Sequence, residues 1–255
     1  MKKTWAIVTG ATSGFGKAIA EKLASDGLNI ILTGRRLERL TEISEKIAAA
    51  YKVKTKILNF NVSSWSECQT KFDEIISIAP EIEVLVNNAG LGRGIEKLQE
   101  GKVSDWEEMI DTNIKGLLYM TRLVVPHMIA QKSGHIVNIG SVVGRWTYPG
   151  GGVYSATKFA VRAITESLRM DLMGTPIRVT NIAPGMAETE FVKVVLHGAE
   201  IPKAVYQGMT PLKAEDIAES VSWCLSRPKH VNISELLIYP TDQAGVGPGY
   251  INRKT

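Results

Sequence analysis

The stretch Trp5-Ala6-Ile7-Val8-Thr9-Gly10-Ala11-Thr12-Ser13-Gly14-Phe15-Gly16-Lys17-Ala18-Ile19-Ala20 decides the architecture. Residues 5–9 form a short, nearly continuous apolar run that stops at glycine, the pattern of a fully buried parallel strand. Residues 17–24 carry a helical pattern. Between the two, Gly10, Gly14 and Gly16 let the backbone turn sharply, approach a pyrophosphate closely and pack helix on strand, with Thr12, Ser13 and Phe15 filling the loop. The helix N-terminus would then aim its free N–H groups at the phosphates. A P-loop is the nearest competitor, because Gly16-Lys17 matches its end, but Ala11 stands at its first glycine and Ala18 at its Ser/Thr. A glycine-rich turn that binds nothing is the plain alternative.

Working outward, the next strand, 29–34, ends in Arg35-Arg36, and no acid occurs until Glu38. In dinucleotide-binding units an acid here holds the adenosine ribose, whereas arginine accommodates the 2′-phosphate of NADP. The expected cofactor is therefore NADP(H), with Arg35 stacking or pairing at the phosphate and Arg36 supporting it. A pair of solvated cations at a helix start would be oddly placed, because the helix dipole disfavours them there. A helix over 37–50, a strand over 55–60 followed by Asn61-Val62, a helix over 64–78 and a strand at 84–86 ending in Asn87-Asn88-Ala89-Gly90 continue the alternation. Two long helical patterns follow, 105–131 containing Asn113 and 153–173 containing Tyr154 and Lys158. Between them a strand at 135–139 ends at Gly140-Ser141. A strand at 178–183 leads into Pro184-Gly185 and Thr189, and a helix at 214–225 and a strand at 236–239 close the chain. This rhythm predicts an α/β fold, a doubly wound parallel sheet with its ligand crevice at the carboxyl ends of the strands. Residues 186–212 lack periodicity and read as a mobile lid or a plain surface insertion.

Tyr154 and Lys158 stand at i and i+4, one helical turn apart on one face. A free tyrosine titrates near ~10; a lysine charge about 4 Å away, at an effective dielectric of about 20, favours the phenolate by roughly 4 kcal/mol, or about three pKa units. The pairing predicts a phenol tuned toward neutrality. Taken alone, the same spacing describes an ordinary aromatic and a solvated charge on an amphipathic helix.

The 255 residues show no linker, low-complexity tract or repeat, so 1–255 reads as a single domain. Net charge is 30 − 26 = +4, with no basic cluster longer than Arg35-Arg36, which argues against nucleic acid and weakly for an anionic ligand. Cys68 and Cys224 have no metal-ligand spacing, so no metal site is expected. Met1-Lys2-Lys3 has the charges of a signal sequence but too short an apolar run behind it; the expectation is a reduced, cytoplasmic protein with no membrane partner. The sequons at Asn61 and Asn232 would then go unused.

Taken together, Thr9 to Gly16, Asn87-Asn88-Ala89-Gly90, Asn113, Ser141, Tyr154 with Lys158, and Pro184-Gly185 with Thr189 resemble the short-chain dehydrogenase/reductase family over nearly the full length. The resemblance implies a Rossmann-type sheet of about seven parallel strands. It also implies that Ser141 hydrogen-bonds the substrate oxygen and that Tyr154 is the general acid in reduction and the base in oxidation. Lys158 would lower the tyrosine pKa and bind the nicotinamide ribose, and Asn113 would hold a water in the proton relay. His127 and His135 are then structural. The motifs 33–40, Asp111-Thr112-Asn113 and 183–191 are most similar to a branch of NADP-dependent 3-hydroxy acid dehydrogenases acting on serine, allo-threonine and related short acids, and to sulfoacetaldehyde reductases. That branch implies a homotetramer with the two long helices at the main dimer contact.

Two departures bear on binding. Asn61 stands where the family usually places an aspartate against the adenine amine; its amide oxygen can accept the same hydrogen bond. Residues 142–149 lie where substrate would sit, and Arg145, with Arg162 and Arg178 as alternatives, is the expected partner of a substrate carboxylate or sulfonate. Arg145 as a mere loop charge is the competing reading. The functional expectation is an oxidoreductase interconverting a short hydroxy acid or hydroxy sulfonate and its carbonyl form. A reductase of neutral carbonyls and a non-catalytic NADP(H)-sensing regulator are the alternatives.

Overall fold

The computed structural model describes residues 4–253. Met1-Lys2-Lys3, weighed above as a signal start, lies outside the described residues. β1 (Trp5–Val8) and β2 (Asn29–Gly34) are buried at every position. They are followed by β3 (Thr55–Asn59), β4 (Ile82–Asn87), β5 (His135–Ile139), β6 (Arg178–Pro184) and β7 (Glu235–Ile238). All six neighbouring pairs are parallel, in the order β3-β2-β1-β4-β5-β6-β7. The chain winds one way from β1 to β3 and the other way from β4 onward, so the sheet reverses between β1 and β4. Crossover loops part at such a reversal, and a crevice opens beyond the strand ends.

Helices cover both faces, which is why the strands are apolar on both sides. On one face α1 (Gly14–Ser25), α2 (Leu37–Tyr51) and α8 (Ala214–Leu225) pack over Ala6, Val8, Ile30, Leu32, Val84 and Val86. On the other, α3 (Trp65–Ile78), α5 (Leu117–Gln131) and the end of α6 (Gly152–Asp171) cover Ile7, Ile31, Leu85, Ile136 and Val179. Alternate residues of each strand feed opposite cores, as a period of two requires. Truncating one of the fully buried side chains, such as Leu85, to alanine would cost about 2–5 kcal/mol.

The structure refines two sequence readings. The helical pattern of 105–131 is α4 (Val103–Ile110) joined to α5 through a π-helical turn, Asp111–Gly116. Such turns accommodate one extra residue per turn and often mark functional positions; this one carries Asn113. The aperiodic segment 186–212 contains a short helix, α7 (Phe191–Val195), and a 3-10 turn, Lys203–Val205. Its ends meet: the Glu188 N–H donates to the Leu212 carbonyl at 2.8 Å and the Leu212 N–H to the Met186 carbonyl at 2.9 Å.

Candidate active site

A crevice of about 940 Å³ runs along the carboxyl edge of the sheet. The β1–α1 loop forms its floor. Gly10 and Gly14 have φ of +65° and +53°, a left-handed backbone that side chains disfavour. A Cβ on Gly16 would collide with the Gly10 carbonyl oxygen and the Asn88 amide, so glycine is required for strand, loop and helix to close together. Asn88 fastens the loop to β4: its Nδ2 donates to the carbonyls of Thr9 at 2.8 Å and Gly10 at 3.1 Å. The N-cap of α1, Ser13, makes no side-chain cap bond, and the first turn has no acid. The leading N–H groups are therefore available to an anion.

The other strand ends supply the rest of the lining. Arg35 and Arg36 follow β2, Asn61 and Val62 follow β3, Asn88, Ala89 and Gly90 follow β4, Ser141 follows β5, Pro184 ends β6, and Gly185 and Thr189 follow it. Arg36 is tied to the glycine-rich loop, with Nε and NH2 on Thr12 Oγ1 at 3.0 and 2.5 Å and NH2 on Ser13 Oγ at 2.8 Å. Arg35 is largely exposed and stands 3.7 Å from Glu108. The Asn61 amide oxygen accepts the Ser63 N–H at 3.2 Å, which orients the side chain at the crevice wall. Uncapped helix, glycine cradle and arginines at the end of β2 fit a dinucleotide carrying a 2′-phosphate.

At the opposite end Ser141, Tyr154 and Lys158 line the same crevice. Ser141 Oγ donates to the Pro184 carbonyl and accepts the Val143 N–H, both at 3.3 Å, bonds long enough to exchange for a better partner. Lys158 is buried, and its Nζ donates to the Ile139 carbonyl at 2.8 Å and lies 5.8 Å from the Tyr154 ring centroid. Asn113 Oδ1 accepts the Leu91 N–H at 2.8 Å, and its Nδ2 donates to the Leu91 carbonyl at 2.8 Å and Thr157 Oγ1 at 3.0 Å. Asn113 thus sits behind the crevice wall and braces α6.

The expected electrostatics of the Tyr-Lys pair are corrected. Burial, with the neighbouring Tyr148, pushes the Tyr154 phenol well above its ordinary value, while Ser141 pulls the other way. Burial also lowers Lys158 to about 8, so the amine is the group brought near neutrality. Desolvating the phenolate and the ammonium outweighs their mutual attraction here.

The expectation for the substrate anion is corrected as well. Arg145 does not line the crevice; its NH2 is paired with Glu235 Oε2 on β7. Arg162 stands 3.7 Å from the same carboxylate. Arg178 donates to the Leu225 carbonyl at 3.0 Å and the Arg227 carbonyl at 3.1 Å, neutralising the end of α8. Lining residues that the sequence did not single out include Arg39, Arg93, Tyr148, Phe191, Lys193 and Arg253. Phe191 packs on Tyr154 with ring centroids 5.3 Å apart, and Arg93 is held by Glu108 at 2.7 and 3.2 Å. Of these, Tyr148 falls in the 142–149 segment and Phe191 in the 183–191 motif, and Arg39 lies one helical turn beyond Arg36 and so on the same face.

A family model for short chain dehydrogenases matches residues 4–199. The chain belongs to the short-chain dehydrogenase family. This short-chain dehydrogenase is 46% identical over 240 residues to sulfoacetaldehyde reductase 2 of Chromohalobacter salexigens, covering 93% of this chain and 94% of the relative. It is 42% identical over 248 residues to the NADP-dependent 3-hydroxy acid dehydrogenase of Escherichia coli K12, covering 94% and 96%. Its fold superposes on the closed form of serine dehydrogenase complexed with NADP+ with a TM-score of 0.91 at 42% identity, covering 96% and 98% of the two chains. Among the described residues of this short-chain dehydrogenase, no helix is long and apolar enough to cross a membrane, and no group of three or more His, Cys, Asp or Glu is placed to hold a metal.

Proposed function

We propose that this protein is an NADP(H)-dependent oxidoreductase that interconverts a short hydroxy acid or hydroxy sulfonate and its carbonyl form. The observation that carries the reading is the meeting of Ser141, Tyr154 and Lys158 at one end of a crevice whose other end offers a glycine cradle and arginines. Relatives 46% and 42% identical, covered over 94% and 96% of their own lengths, bear those activities in their names. Bound NADP(H) supplies or accepts the hydride at the substrate carbon.

The protein's own residues place the substrate and move the proton. Ser141 exchanges its long bond to Pro184 for one to the substrate oxygen. Tyr154, kept protonated by burial, is ready as it stands to donate to that oxygen during reduction. In oxidation it must receive the proton instead, which requires Lys158 to turn its charge from the Ile139 carbonyl toward the site. Lys158 in that position also binds the nicotinamide ribose. The Asn113 amide hydrogens are committed, so a relay water falls to its backbone carbonyl, in the widened π-turn.

With Arg145 engaged elsewhere, the substrate's anionic group falls to Lys193 or Arg253, which line the crevice and have no carboxylate partner among the described residues. Residues 186–212 act as the lid over this end. A second reading, reduction of a neutral ketone, aldehyde or acyl chain, is favoured by the apolar lining from Phe191, Val192 and Met186. The assembly would be a cytosolic homotetramer joined through α4, α5 and α6, on which Ile110, Leu118 and Phe159 are exposed apolar side chains.

The test is NADPH oxidation across sulfoacetaldehyde, the oxo forms of short 3-hydroxy acids and neutral carbonyls, with sizing chromatography for the assembly. Preference for the anionic compounds supports the main reading, and preference for neutral ones supports the second. Tight NADPH binding without turnover of any of them would sink both in favour of a regulator.

A further inference from the structure

The cations of the crevice's phosphate end already hold an anion, and it comes from the lid. Glu190 directly follows Thr189, whose side chain lies against Gly14 of the phosphate loop. Its Oε2 accepts from Arg36 NH1 at 3.1 Å and its Oε1 from Arg39 NH1 at 2.6 Å. One carboxylate thus bridges two guanidinium groups, one of them fastened to Thr12 and Ser13. Two arginines converging on one oxyanion is the arrangement that recognises a phosphate monoester. The arginines hold the Glu190 carboxyl below its ordinary value although burial acts against them.

We propose that Glu190 is the resident counter-ion of the adenosine 2′-phosphate site: the 2′-phosphate displaces it from Arg36 and Arg39, whereas a cofactor with a free 2′-hydroxyl leaves the bridge intact. This rests on the NADP(H) reading and adds Arg39 and Glu190 to it as specificity-determining residues. The exchange is electrostatically sound. A carboxylate carries one negative charge and a 2′-phosphate nearly two, with three acceptor oxygens. Both ion pairs are about half exposed, so water readily takes their place.

Two consequences follow. The bridge subtracts from NADP(H) affinity, because only the fraction of molecules with the arginines free can bind without displacing it. Binding the phosphate also unlatches the lid at the adenine end. Its position is then set by the contacts at the reacting end, where Phe191 packs on Tyr154 and the Gly94 N–H donates to the Val195 carbonyl at 3.0 Å.

The experiment compares the wild type with Glu190→Gln in equilibrium binding of NADPH, NADH, adenosine 2′,5′-bisphosphate and 5′-AMP. Loss of two half-exposed pairs should tighten NADPH and the bisphosphate by about three- to tenfold while NADH and 5′-AMP stay within about twofold. Equal changes for both members of each pair, or weaker NADPH binding, would overturn the proposal. Hydrogen exchange on the wild type gives a second reading that needs no variant. The bisphosphate should speed exchange of amides in residues 189–196 and 5′-AMP should not; protection by the bisphosphate would mean that Glu190 stays in place. If the wild type binds NADPH no better than NADH, the NADP(H) reading falls and this inference with it. If it prefers NADPH but Glu190→Gln leaves that preference unchanged, the inference alone falls.

Discussion

Replacing Arg145 with alanine separates a structural cation from a substrate-binding one. Arg145 is 34% exposed and Glu235 15%, and the Glu235 carboxylate also accepts Asn181 Nδ2 at 2.8 Å, with Arg162 at 3.7 Å. Breaking a fully buried pair costs about 3–5 kcal/mol, and an exposed pair contributes about 0–1 kcal/mol. This pair lies between, with Asn181 and Arg162 left to share the stranded carboxylate, so the expected loss is about 1–3 kcal/mol. For a chain of this size each kcal/mol lowers Tm by about 2–4 °C, giving a fall of about 2–12 °C. Denaturation would be followed beside steady-state kinetics with a short hydroxy acid and a neutral alcohol. The expected result is lost stability with the two KM values moving together. A rise of about tenfold, equivalent to 1.4 kcal/mol, in KM for the acid alone, with stability intact, would refute the reasoning and return Arg145 to the substrate.

Three further outcomes are expected. Tyr154→Phe should lower turnover by about 10²–10⁴ while NADPH binding, read by cofactor fluorescence, is retained; unchanged turnover would remove Tyr154 as the acid. Burial lowers Lys158 to about 8, and on the mechanism proposed above it binds the ribose as the ammonium. Above that pH binding must take up a proton, and the Kd for NADPH should rise by up to about tenfold per unit; a flat profile from pH 7 to about 9.5 would contradict this. His135 is held neutral by burial, and by nearby Arg178, down to about 3. The unfolded chain gains that proton near ~6.5, so stability should fall as pH drops below that value, by at most about 1.4 kcal/mol per unit. Denaturation midpoints from pH 7 to 4 should show a smaller slope in His135→Gln.

Much of this arrangement was legible in the chain. Glycine has few reasons to recur at 10, 14 and 16 between a buried strand and a helix, and each proved to sit where a Cβ is sterically or conformationally unwelcome. Local periodicity placed Ser141 at a strand end and Tyr154 and Lys158 on one helix face, and the family resemblance gave the three their roles. What stayed hidden depended on distance and solvent. The partner of Arg145 lies 90 positions away, and no local pattern points to it. The Tyr154–Lys158 spacing carried the right geometry but not the depth of burial that reverses its electrostatic effect. The resemblance singled out Asn113, but the π-turn that holds it stayed hidden, because such a turn changes hydrogen-bond partners without disturbing the apolar pattern. Residues 186–212 lacked periodicity because α7 is too short to repeat a pattern and rests on contacts with Arg93, Gly94 and Tyr154.

The closure of that segment on itself carries a consequence for how such a protein can diversify. Its two ends are stitched together by backbone bonds between 186–188 and 212, side by side where β6 has already left the sheet. Because the join is made by main-chain atoms, another loop of different length or chemistry can be grafted there without altering any strand register. Loop-closure entropy grows only slowly with length, about 0.6 kcal/mol per doubling. On the function proposed above, new substrate preferences can therefore be inherited as a cassette, while the glycine cradle and Ser141, Tyr154 and Lys158 stay as they are.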